Sequence, residues 1–196
     1  TFIIVVFLGF GSYIYGVEIQ EKTLKVLYSK PISKWKIILS KFITGIIFTF
    51  ILIFSVCLIN LLISVICYPQ LDFIEFGGEN LILAQNGFRY IFMTYFFQGI
   101  SLIFVICLSI TIAILFDSAV LSTILTFFVM IFSFLAGNIE ILKPVLPTTY
   151  WLVWQDIVQK NILWSHVLKS TGVLLLYSFI LYLLSVYIYK KKEVHI

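Results

Sequence analysis

The chain has 196 residues, of which 62% are hydrophobic and only 11% charged, with a mean hydropathy of +1.13. A soluble domain carries about 25% charged residues, so this composition excludes an ordinary soluble core and indicates a polytopic membrane protein. The net charge of +4 does not indicate nucleic acid as a partner, because the lysines gather at the ends of apolar runs and form no single basic face.

Residues 1–17 are the first apolar interval, free of Asp, Glu, Lys and Arg and bounded by Glu18. They fall short of the roughly 20 residues a helical crossing needs, and they open with neither Met nor a basic n-region. The expectation is a chain that begins partway along its first visible span and has no cleavable signal peptide. Residues 18–41 follow, EIQEKTLKVLYSKPISKWKIILSK, with six lysines and two glutamates. A charged segment between two apolar runs reads as an aqueous loop. Within it, Glu18–Lys22 and Glu21–Lys25 stand at i,i+4 in the order that favours a helix. Pro31 disfavours helical geometry at Lys30, and Ser33 suits the cap of a second helix that runs through Trp35 into the next span. The apolar members Leu24, Val26, Leu27, Tyr28 and Ile32 form no clean stripe. The residues alone leave two readings open: a loop held to anionic headgroups by its lysines, and a docking surface for a soluble partner.

The remaining spans are expected at about 42–68, 90–116, 118–139 and 170–189, each free of Asp, Glu, Lys and Arg. Between them lie a polar connection over Asp72–Arg89 that contains Gly77-Gly78, a short turn at Asp117-Ser118, and the segment 140–169. Pro144 and Pro147 break that last segment, and Trp151, Trp154 and Trp164 follow. Tryptophan favours the headgroup level, so one or two short helices lying in or dipping into the outer interface are expected there. The spans are helical because every backbone amide in hydrocarbon must be bonded internally, and a run such as ILIFSVCLINLLISVIC lacks the alternation of a barrel strand. With 18–41 inside the cell, five crossings put nine basic residues inside, including Lys190, Lys191 and Lys192, against four outside (Arg89, Lys143, Lys160 and Lys169). The excess supports a cytoplasmic loop and a cytoplasmic C-terminus.

No catalytic constellation stands out, and no enzyme activity, cofactor or metal is expected of this chain. His166 and His195 fall on opposite expected sides of the membrane. Cys57, Cys67 and Cys107 lie inside apolar runs, where cysteine behaves as a small hydrophobe. No G-x-x-x-x-G-K-[ST] run occurs, so ATP cannot bind by a P-loop here. Asn60 and Gln98 are the intramembrane amides best placed to mark a substrate path or a helix contact. No span carries a charge at its centre, which argues against an ion-coupled carrier.

The run from Glu18 to Lys41 resembles the cytoplasmic loop of ABC-2-type transporter permeases. In that family an acidic stretch precedes a Thr-Leu pair, then a Pro-[Ile/Val]-Ser-basic core, and a Lys opens the next helix. Glu18 and Glu21, Thr23-Leu24, Pro31-Ile32-Ser33-Lys34 and Lys41 fill those positions. The resemblance implies an all-α transmembrane bundle of six helices, of which five are visible, forming a single permease domain over 1–196. It further implies a coupling helix in 18–41 that docks on a separate ATP-binding cassette ATPase through Glu18, Glu21, Thr23, Leu24, Leu27, Pro31, Ile32 and Ser33. A second permease half, identical or not, completes the assembly. The function expected is ATP-driven export, from a bacterial plasma membrane, of an antimicrobial peptide, a drug or a lipid-like molecule, with a role in antibiotic resistance or immunity. The alternative is a membrane sensor or assembly protein that transports nothing.

Overall fold

A computed structural model describes residues 2–20, 33–67, 73–76, 80–157 and 162–192. The described residues form a helical bundle with a small hairpin. Helix α1 covers Phe2–Gln20 and α2 covers Lys34–Cys67. Strands β1 (Phe73–Phe76) and β2 (Asn80–Leu83) pair antiparallel, with Phe73 opposite Leu83 and Phe76 opposite Asn80. Then come α3 (Ala84–Phe116), α4 (Ala119–Ala136), a 3-10 turn (Pro147–Tyr150), α5 (Val153–Ile157) and α6 (Trp164–Lys191).

Among the described residues, four helices are long and apolar enough to cross a membrane: α2, α3, α4 and α6. Helix α1 is apolar over the shorter stretch Ile4–Glu18 and packs into the same bundle. Helices α2 and α6 start eight and six residues before the expected spans, at Lys34 and Trp164. A charge-free interval marks the hydrocarbon, whereas a helix continues past it wherever lysine stems can carry their charge to water. At 1.5 Å per residue α2 is about 50 Å long, well beyond the ~30 Å hydrocarbon core. The connection expected over Asp72–Arg89 is more ordered than a polar loop, because it contains the hairpin and the first turn of α3.

Helix α3 is the axis of the fold. In its membrane-length window 83% of residues are buried, against 17%, 11% and 17% for α2, α4 and α6, and it touches each of the other described α-helices. Leu102, Val105, Ile106, Ile110, Ala113 and Ile114 form the centre of its buried face. Helix α1 approaches it closely: a Cβ on Gly11 would lie 2.8 Å from the Ser109 Cβ, and one on Gly16 would lie 2.6 Å from Ala119 on α4. The Ser12 and Ser109 hydroxyls sit 2.7 Å apart, and both reach the Leu8 carbonyl. In lipid, where apolar surface gains little by leaving one apolar medium for another, small residues and interhelical hydrogen bonds of this kind hold helices together.

The segment after α4 folds back onto the bundle. Pro147 occupies the first turn of the 3-10 helix, where its missing N–H is no loss. The Ser133 and Thr148 hydroxyls lie 2.9 Å apart, and the Ser101 hydroxyl donates to the Trp151 carbonyl at 2.9 Å. Val153 and Ile157 of α5 bury completely against Val167 of α6. Short helical pieces thus occupy the stretch where one or two short helices were expected.

Candidate functional site

The ends of α1, α3 and α6 and the start of α2 meet at one end of the bundle, where Glu18, Lys34, Lys36, Lys41, Asp117, Lys190, Lys191 and Lys192 gather. The Glu18 carboxylate near the end of α1 accepts from Lys41 Nζ on α2, with both groups largely shielded. The pairing expected along the loop, Glu18 with Lys22, involves a residue outside the described set; Lys41, on the next helix, is a partner the fold supplies. Ser33 is exposed immediately before α2, and its carbonyl accepts from Lys36 N at 2.9 Å. Trp35 is also exposed, with Lys36 Nζ over its ring at 5.8 Å.

Two further lysines tie helix ends together. Lys34 Nζ reaches the Lys190 and Lys192 carbonyls at 3.4 and 3.5 Å, at the end of α6. Lys192 Nζ in turn donates to the Ile114 and Leu115 carbonyls at the end of α3 and to the Asp117 carboxylate. Cations at helix C-termini are favoured by the orphan carbonyls and by the helix dipole. Asp117 ends α3 with φ of 52°, a left-handed conformation that Asp tolerates better than most residues. Ser118 then caps α4 by accepting from Leu121 N. The turn expected at Asp117-Ser118 is present, but its carboxylate is engaged by Lys192. Sequence reading treated the lysines as markers of side and missed this lacing; the available signal was a lysine run beginning where the last span ends.

Of the residues expected to dock a partner, Glu18 and Ser33 bracket the site. Glu21, Thr23, Leu24, Leu27, Pro31 and Ile32 lie outside the described residues. The two intramembrane amides do not meet. Asn60 Nδ2 donates to Tyr95 Oη at 2.6 Å, joining α2 to α3, while Gln98 is half-buried one turn further along α3. Phe54 stacks on Phe92 beside the Asn60 contact, with ring centres 5.5 Å apart. His166 Nδ1 pairs with Asp156 at 2.7 Å, at the opposite end of the bundle from the lysines. Among the described residues no cluster of His, Cys, Asp and Glu could hold a metal ion.

Residues 1–133 match the model of a family described as ABC-2 family transporter protein. The match takes in α1 to α3, nearly all of α4 and the whole lysine-rich loop between α1 and α2. No curated protein and no solved structure matches the chain.

Proposed function

Because the chain belongs to the ABC-2 family of transporter proteins, a multi-pass membrane component of transporters that work with an ATP-binding cassette partner, we propose that it is the permease of an exporter driven through the loop 18–41. The substrate is an antimicrobial peptide, a drug or a lipid-like molecule, and the membrane is a bacterial plasma membrane with the lysine-rich end in the cytoplasm. A second permease half completes the pathway. The ATPase docks on Glu18, Glu21, Thr23, Leu24, Leu27, Pro31, Ile32 and Ser33, and its nucleotide-driven closure displaces the loop and rocks the bundle between two states.

The observation that carries this reading is the lacing at the charged end. The connection leaves α1 at Gln20 and enters α2 at Lys34, and those two helices are joined near it by Glu18–Lys41. Lys34 joins α2 to α6, and Lys192 joins α6 to the α3–α4 turn. A push on the loop is thereby passed to every long helix, with no need for the loop to touch each one. The apolar spans, with no charge at their centres, suit an amphiphilic cargo better than an ion.

A search of the neighbouring reading frames for an ATP-binding subunit, followed by co-expression with it, tests the reading. The wild-type chain is expected to co-purify with that subunit, and the double change Glu21→Lys with Leu24→Asp to abolish co-purification while the chain still extracts as a monodisperse helical protein. Unchanged co-purification rules out the docking site. Absence of any neighbouring ATP-binding subunit favours a sensor or assembly role.

A further inference from the structure

Where α3 and α6 begin, at the end of the bundle away from the lysines, a partly open cavity of about 190 Å³ is lined by Arg89, Tyr90, Met93, Ile162 and Trp164. Arg89 and Met93 stand at i,i+4 and so share a face of α3. Beneath them Val153, Ile157 and Val167 form a fully buried floor, against which Tyr90, Met93 and Ile162 pack. Among the described lining residues the walls are aromatic, aliphatic and thioether surface, and the one charge is the Arg89 guanidinium. Arg89 is exposed and forms no ion pair or hydrogen bond with the described residues. The Asp156 carboxylate on α5 is already held by His166, so it does not neutralise the guanidinium.

A guanidinium with no partner among the described residues, at the mouth of such a cavity, is a receptor for an oxyanion, since its planar fork matches phosphate with two parallel hydrogen bonds. The size restricts what enters. Pockets for whole drug-sized ligands run to about 300–1,000 Å³, so this cavity takes a headgroup and leaves the rest of the molecule outside. Its setting supplies one: Trp164 and Tyr90 are residue types that sit at headgroup level, and Tyr90 and Trp164 stand at the ends of two membrane-length helices. We propose that the cavity is a binding site for the phosphate of an anionic phospholipid headgroup, with Arg89 on the phosphate and Tyr90, Met93 and Trp164 against the adjoining carbons. The site is independent of the docking loop and stands whether or not the chain transports anything.

Native mass spectrometry of the full chain in detergent, titrated with a short-chain phosphatidylglycerol, reads the site directly. The wild type is expected to retain one tightly held lipid. Arg89→Gln should weaken that binding about tenfold or more, through loss of the charge-assisted pair of bonds to phosphate. Arg89→Lys should weaken it less, because a point charge remains. Met93→Trp keeps the cation but fills the cavity, and should expel the same lipid. Equal retention by wild type, Arg89→Gln and Met93→Trp overturns the proposal. Displacement of the lipid by equimolar inorganic phosphate also overturns it, since the site would then serve the free anion and the lipid would add nothing.

Discussion

At the scale of single residues, the fold depends on small side chains where helices meet and on lysines where helices end. Gly11 and Gly9 lie two positions apart on α1, yet they face different surroundings. A Cβ at Gly11 meets Ser109, whereas one at Gly9 meets nothing within 4 Å. Gly11→Val is expected to destabilise the bundle by about 1–3 kcal/mol through overpacking. Gly9→Ala is expected to be neutral or to stabilise by up to about 1 kcal/mol, the helix propensity difference. Thermal unfolding in detergent, followed by tryptophan fluorescence, separates the two; equal shifts would show that α1 does not approach α3 as described. Neither glycine was distinguishable in the sequence, because both sit in one unbroken apolar run and only the neighbouring helix decides which is crowded. Glu18 likewise gains a contact that the sequence did not suggest, with Lys41, 23 residues on.

At the scale of elements, the order of the helices was legible, and four of the five expected spans are long and apolar enough to cross, because charge is so scarce that each interval free of Asp, Glu, Lys and Arg has a sharp edge. Asp117-Ser118 separates α3 from α4 where expected. Their extents were less legible, since lysine and tryptophan end the hydrocarbon without ending a helix, and α2 and α6 begin well before their intervals. The hairpin over Phe73–Phe76 and Asn80–Leu83 escaped notice because four-residue strands are too short to establish a period of two. Nor could hydropathy identify the central helix, because lipid-facing and buried surfaces are equally apolar. Position within the bundle separates them. Ile110 on α3 is fully buried and Ile47 on α2 is 54% exposed. Ile110→Ala should lower stability by about 2–4 kcal/mol through an unfilled cavity, and Ile47→Ala by about 0.5 kcal/mol or less. The two melting temperatures measured side by side check the assignment of α3 as the axis, and a reversed order contradicts it.

At the scale of the whole molecule, the bundle is polarised. One end gathers Glu18, Lys34, Lys41, Asp117 and Lys192 in contacts between helices, and the other gathers the folded-back segment, the His166–Asp156 pair and the Arg89 cavity. The basic residues that set the expected orientation thus also connect the helices, which the count of charges alone did not reveal. In a background with Cys57, Cys67 and Cys107 replaced by alanine, a membrane-impermeant maleimide added to intact cells should label Ile141→Cys and leave Ser33→Cys unlabelled until the cells are opened. Labelling of Ser33→Cys from outside inverts the orientation and removes the docking site from the cytoplasm. The proposed docking segment rests on its pattern of acidic, apolar and proline positions, and most of it lies outside the described residues.

The central claim is that work enters this protein through the loop between α1 and α2, and the ATP hydrolysis rate of the complex in liposomes tests it most directly. The expected result is that the permease alters the rate of the ATP-binding subunit, and that Glu21→Lys with Leu24→Asp returns it to the rate of that subunit alone. A double variant that hydrolyses ATP at the wild-type complex's rate would contradict the claim.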